Sequence, residues 1–301
     1  MDMELLMPVS GYLAASVTLF FIGFVGFFSN LIVIVMMFRE KQLWTPLNVI
    51  LFNLVASDFS VSVLGNPFTL ASAINMSWAF GQDLCIAYGF FMSLLGISSI
   101  GTLSVLALER YLIISQPVSR SQLTKKSALL VVIVVWIYST ALTAPPLFGW
   151  GEYTIEAANI SCSVNWETRS YSTTSYIIFL FTFGFFLPVI IISFSYINII
   201  VTVKKNMMSV GRVKAEARVA GMVAVMIVAF FLAWTPYAVL ALLVAFLDIQ
   251  LSPALTVVPA LVAKTSICYN PIIYVGLNTQ VGISRSSSSI TNDPTSITSY
   301  A

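Results

Sequence analysis

Seven long apolar stretches constrain this chain more than any other feature, because each is long enough to cross a bilayer as a helix, which takes about 20 residues. They lie at 11–37, 47–72, 84–114, 127–148, 176–203, 213–246 and 252–276. The connections between them are short, which favours antiparallel neighbours in one bundle. Only 9% of residues are charged and 58% are hydrophobic, too little polar surface for a soluble domain of this size. The fold class expected is an all-α membrane protein, a seven-transmembrane helix bundle. Residues 1–276 form its membrane domain and residues 277–301 a short Ser/Thr-rich cytoplasmic tail.

Charge placement orients the bundle. Arg39, Lys41, Arg110, Arg120, Lys125, Lys126, Lys204, Lys205, Arg212, Lys214, Arg218 and Arg285 all fall on one side of the membrane, and Arg169 falls on the other. The positive-inside bias makes the first group cytoplasmic and the N-terminus external. No cleavable signal peptide is expected, since the start lacks a positive region and its apolar run is too long. The prediction is a multi-pass protein of the cell membrane, with the lipid bilayer as partner and no nucleic acid. The sequence has no histidine, which argues against a zinc site or a His-based triad. Cys85 and Cys162 both lie in external segments, where an oxidising compartment permits a disulfide. The longest loop, near 149–175, carries β-favouring residues consistent with a short hairpin.

Polar residues inside apolar helices are costly and therefore informative. Asn30 marks the first stretch and Asp58 the second. Glu109-Arg110-Tyr111 closes the third and is followed by Gln116-Pro117. Trp136 lies in the fourth, Pro188 and Tyr196 in the fifth, Trp234-Thr235-Pro236 in the sixth, and Asn270-Pro271-Ile272-Ile273-Tyr274 in the seventh. Each alone reads equally as a packing device or a kink. Taken together and in this order, they resemble the rhodopsin class of G-protein-coupled receptors over all seven helices.

That resemblance implies a heterotrimeric G protein as partner, with arrestin and a receptor kinase. It also implies an activation switch of Glu109, Arg110, Tyr111, Glu216, Tyr196, Asn270, Pro271, Tyr274, Asp58 and Asn30. Glu216, at the basic start of the sixth helix, is the family's candidate to pair with Arg110 and hold the cytoplasmic side closed. An ordinary surface pair is the alternative. Asp58, Asn30 and Asn270 resemble the family's internal polar network, and a plain hydrogen-bonded cluster fits them as well.

Lys264 narrows the ligand. It lies six residues before Asn270, about 9 Å along the helix at 1.5 Å per residue. That depth is too great for easy snorkelling. A lysine there must pair with a carboxylate or be chemically consumed, and burial favours the neutral amine that attacks aldehydes. Val262-Ala263-Lys264-Thr265-Ser266, running into Tyr269-Asn270-Pro271, looks like the retinal-attachment segment of animal opsins. The resemblance implies retinal held covalently as a protonated Schiff base on Lys264. It also implies a pocket of Tyr88, Gly89, Gly96, Phe185, Trp234, Tyr237 and Ala260, in which the glycines leave room for a flat ligand.

A buried cation needs a counter-charge. Many vertebrate visual opsins carry a glutamate three residues after the disulfide cysteine, but here that position is Tyr88, whose phenol stays neutral near pH 7. The best remaining carboxylate is Glu156, which a Cys85–Cys162 disulfide holds over the pocket; a solvated loop acid is the plainer reading. Use of a loop glutamate resembles non-visual and invertebrate opsins, whose photoproduct keeps its retinal and reverts in light. Cys162-Ser163-Val164-Asn165-Trp166 resembles encephalopsin and the teleost multiple tissue opsins. Ala233 stands where the family commonly has cysteine. The tail after Tyr274 departs further, because it carries no cysteine to lipidate. The expected function is a light-activated receptor and not an enzyme. A retinal photoisomerase and a receptor for a diffusible ligand are the competing readings.

Overall fold

The computed structural model describes residues 6–115, 123–205, 211–247, 249 and 252–277. Gln116, Pro117 and the tail lie outside these. Seven helices long and apolar enough to cross a membrane are present: α1 (Val9–Arg39), α2 (Pro46–Ile74), α3 (Gly81–Ser115), α4 (Lys125–Thr143), α5 (Tyr171–Lys205), α6 (Gly211–Leu247) and α7 (Pro253–Leu277). Three helix starts, those of α2, α4 and α5, carry side-chain caps. The side chains of Thr45, Thr124 and Ser170 accept from the backbone N–H of Asn48, Ser127 and Thr173, each satisfying one of a helix's orphan donors.

α3 runs through the middle of the bundle, packing on α2, α4, α5 and α6 and on both strands of the lid. The core at its cytoplasmic half gathers Leu54, Leu103, Leu106, Val223, Met226 and Tyr274. Large apolar side chains on the outer surface, such as Phe20, Phe24 and Phe28 on α1, are exposed, as a lipid-facing surface requires. The lid is a two-stranded antiparallel hairpin, β1 (Tyr153–Ile155) and β2 (Cys162–Val164), with Ile155 opposite Cys162. The Cys85–Cys162 disulfide ties it to the top of α3.

Prolines decide where the helices bend and where they adhere. Pro271 lacks an N–H, so the carbonyl four residues back, Ile267, loses its helical donor. Asn30 of α1 supplies the replacement at 2.9 Å. In α5 the chain makes a π turn at Thr182–Phe186 just before Pro188, and the N–H of Leu187 bonds Thr182. The Phe183 carbonyl is left without a backbone donor, and the Tyr138 hydroxyl of α4 fills it at 2.6 Å. α2 makes the same kind of turn at Val61–Gly65 ahead of Pro67.

Pro145 and Pro146 stop α4 at Thr143, short of the expected 148, and a 3₁₀ turn follows at Pro145–Phe148. The last carbonyls of α4 accept instead from two tyrosines, Tyr176 to Leu142 at 3.0 Å and Tyr153 to Thr143 at 2.8 Å. Away from water such groups must find partners inside the protein. Pro146, Pro188 and Pro271 therefore each leave an acceptor that another element binds, at roughly 0.6 kcal/mol on average per interhelical bond.

Candidate functional site: a lysine-floored cavity under the lid

Between the lid and the bundle lies a cavity of about 180 Å³. Lys264, Glu156, Tyr88, Gly89, Gly96, Phe185, Trp234, Tyr237 and Ala260 all line it. Met92, Trp166, Phe181 and Phe230 complete much of the wall; the sequence offered no signal for these beyond their being apolar residues near the site.

α7 changes course at this point. Its first half ends at Lys264, Thr265 forms a turn, and helix resumes at Ser266. The Lys264 amine donates to the Tyr88 hydroxyl at 3.1 Å and lies 5.7 Å from the centre of that ring. The Tyr88 hydroxyl is also 2.6 Å from Thr69 Oγ1 on α2. On the other side of the cavity, Tyr237 donates to Glu156 Oε1 at 2.9 Å and accepts from Trp166 Nε1 at 3.2 Å. Glu156 follows β1 directly, and its N–H bonds the Ser161 carbonyl at 2.9 Å. Among the described residues no ion pair joins Glu156 to Lys264, although both face the same cavity. The carboxylate is held by α6, a tether not visible in sequence.

Gly89 lines the cavity and also makes way for the lid. A Cβ there would come within 2.7 Å of the Tyr153 ring, so its missing side chain makes room for the lid tyrosine. Gly96 lets Trp234 approach, with a Cβ 3.4 Å from that ring. Trp234 stacks on Phe230 at 5.8 Å, and its indole N–H bonds Ser266 at 3.1 Å.

Below the cavity, Asn270 donates to Asp58 at 2.8 Å, and both are buried. Asn30 bonds backbone carbonyls of Gly26 and Ile267 and no side chain of this pair. Asn53, which sequence reasoning passed over, joins three helices: it donates to Thr102 at 2.9 Å and accepts from Trp136 at 2.8 Å. At the cytoplasmic end Arg110 forks onto both oxygens of Glu109 at 2.5 Å and reaches Glu216 at 2.8 Å. Tyr196 donates to the Ala220 carbonyl at 2.8 Å, Tyr111 packs on Phe194, and Tyr274 is buried in the core. Asp83 is exposed, whereas Cys268 is a buried free thiol. Asn75-Met76-Ser77 and Asn159-Ile160-Ser161 fit the N-glycosylation pattern; Asn75 is exposed, and Asn159 is half-buried beside the buried Ser161.

Fold and site together define a seven-helix membrane receptor with a buried amine beneath a disulfide-pinned lid. The family model "7 transmembrane receptor (rhodopsin family)" matches residues 29–274. Pinopsin of Columba livia is 37% identical over 278 residues, covering 91% of this chain and 80% of pinopsin. Parapinopsin of Ictalurus punctatus is 35% identical, covering 91% of this chain and 81% of parapinopsin. The crystal structure of squid rhodopsin superposes with a TM-score of 0.86 at 31% identity, covering 95% of this chain and 88% of that one. The chain belongs to the rhodopsin family of seven-transmembrane receptors and, within it, to the opsins. It is a multi-pass membrane protein of a light-sensing receptor family whose chromophore is retinal, and that family couples to G proteins and comprises receptors rather than enzymes.

Proposed function

We propose that Lys264 is the covalent anchor of retinal and that this protein activates a heterotrimeric G protein when light isomerises the chromophore. The observation that carries the reading is the Lys264 amine opening into a mostly apolar cavity that also holds a carboxylate, Glu156. The residues fit the group: an amine to condense with an aldehyde and release one water, walls suited to a long apolar ligand, and an acid to balance a buried cation. When bound, retinal supplies light absorption and a change of shape. Everything else falls to the protein. Trp234, packed against Phe230 and bonded to Ser266, transmits the change in cavity shape to α6 and α7. Glu109, Arg110 and Glu216 hold the cytoplasmic end closed until α6 swings outward. Asp58, Asn270, Pro271, Tyr274, Tyr196, Tyr111 and Asn30 carry the rearrangement between the two ends.

Glu156 is the counter-charge and acts across the cavity while Tyr237 holds its other face. A lid acid in this role goes with a photoproduct that retains its retinal and is reverted by a second flash. The likeness of the stretch 162–166 to encephalopsin and the teleost multiple tissue opsins supports a reading of the chain as a relative of these, with arrestin and a receptor kinase as its further partners. Residues 1–276 are the receptor domain and 277–301 its tail. The Arg110–Glu216 pair favours signalling over photoisomerase activity, since isomer production needs no cytoplasmic latch.

The test is to express the protein with retinal, record its spectrum, and repeat with Lys264→Ala. Visible colour that is lost in the variant is expected, together with light-dependent nucleotide exchange by a G protein. Colour that survives the substitution refutes the assignment.

A further inference from the structure

Tyr88 has two polar neighbours, the Lys264 amine at 3.1 Å and Thr69 Oγ1 at 2.6 Å. It is 5% exposed, so water offers its hydroxyl little. A protonated nitrogen on Lys264 is a donor only and can use Tyr88 only as an acceptor. The Tyr88 proton then goes to Thr69 Oγ1, because the alternative is a buried O–H without an acceptor. A neutral nitrogen reverses the preference, since it offers a lone pair to which the Tyr88 O–H can donate. Thr69 competes for that proton.

We propose that Thr69 is a positioning residue that selects the cationic state of the Lys264 nitrogen by holding the Tyr88 hydroxyl with its lone pairs toward the amine. Thr69 bonds Tyr88 and not Lys264 itself; it does not line the main cavity, although it lines a smaller neighbouring one that Lys264 also reaches. The titratable groups facing Lys264 are Tyr88 from α3, Glu156 from the lid and Tyr237 from α6. Glu156 supplies negative charge and Thr69 supplies orientation, so the two contributions are separable. The inference extends the reading of Lys264 as retinal's anchor, but its logic applies equally to the free amine.

The first experiment therefore uses the receptor without retinal. Formaldehyde and cyanoborohydride methylate neutral amines, and mass spectrometry of the Lys264 peptide gives the labelling rate against pH. Thr69→Val is expected to label about three- to tenfold faster than wild type at neutral pH, a fall of about half to one pH unit in the amine's midpoint. Thr69→Ser, which keeps the hydroxyl, is expected to match wild type. In a Tyr88→Phe background Thr69→Val is expected to add nothing. The second experiment titrates the visible band of the pigment, where the same order of variants is expected. Should Thr69→Val fail to fold, Thr69→Ala carries the same comparison. Equal labelling profiles for the serine and valine variants, or an undiminished effect of Thr69→Val without the Tyr88 hydroxyl, overturn the proposal. Colour without Lys264 refutes the retinal reading and leaves the labelling result standing by itself.

Discussion

Neutralising Glu216 is expected to raise activity in the dark, and the structure fixes how much. Arg110 is 5% exposed at its side chain and Glu216 is 29% exposed, with Nη1 and Oε2 2.8 Å apart. A hydrogen bond to a charged group contributes about 1.5–3 kcal/mol, and the exposure of Glu216 puts this one at the low end. Glu216→Gln keeps a neutral acceptor, so the closed state loses about 1 kcal/mol, roughly a fivefold shift of the closed-to-open ratio. Glu216→Ala leaves Nη1 without its partner in a nearly dry site and costs about 2 kcal/mol, roughly thirtyfold. Arg110 retains both bonds to Glu109 in either variant, which keeps the losses from growing larger. The assay is nucleotide exchange on purified G protein in darkness, normalised to folded receptor. If both variants exchange at the wild-type rate in the dark and after light, Arg110–Glu216 is an ordinary surface pair and the latch argument fails.

Glu156→Gln is expected to lower the midpoint of the pigment's visible-to-ultraviolet transition by about 1–3 pH units; an unchanged visible spectrum across neutral pH rejects Glu156 as counter-charge. Asn53→Leu strands the Trp136 N–H and removes the donor to Thr102, whose own proton still goes to the Ser98 carbonyl; it is expected to cost about 1–3 kcal/mol, measured as a lower Tm in detergent, and a Tm equal to wild type counts against the three-helix junction. Burial pushes the Tyr153 phenol up to about 12. Because this value is raised above that of the unfolded chain, its contribution is whole below about pH 10 and drains away as pH climbs from about 10 to 12. Tyr153→Phe is expected to lower the Tm at neutral pH and to flatten that alkaline loss, and an equally steep decline in the variant contradicts it.

Much of this architecture is readable from the chain because the bilayer leaves few options. Seven apolar runs of spanning length admit only a bundle, and Arg169 alone on the outer side orients it. Lys264 and Arg110 stand out for the same reason: charge within apolar sequence is costly and draws attention. Residues whose roles depend on which way a side chain points were harder to read. Asn53 is one polar residue in a helix that already holds Asp58, and nothing local says that it meets Trp136 and Thr102. Gly89 promised space without saying whether a ligand or Tyr153 would take it. Pro188 and Pro271 announced bends, but the partners of the carbonyls they free, Tyr138 and Asn30, lie on other helices and depend on packing. Glu156 could be placed over the cavity from the cysteines, whereas its tether to Tyr237 depends on how far α6 reaches beneath the lid.

The turn at Thr265 brings the amine and two interhelical contacts close together along α7. Lys264 ends the first stretch of α7 and Ser266 begins the next, two residues along, with the indole of Trp234 bonded to Ser266. On the proposed reading, a ligand held on Lys264 reaches α6 along the backbone of α7 as well as by contact with the Trp234 ring. The same turn carries a second contact, since Ile267 anchors α1 through Asn30. On the same reading, movement at that nitrogen is felt by α6 through Trp234 and by α1 through Asn30.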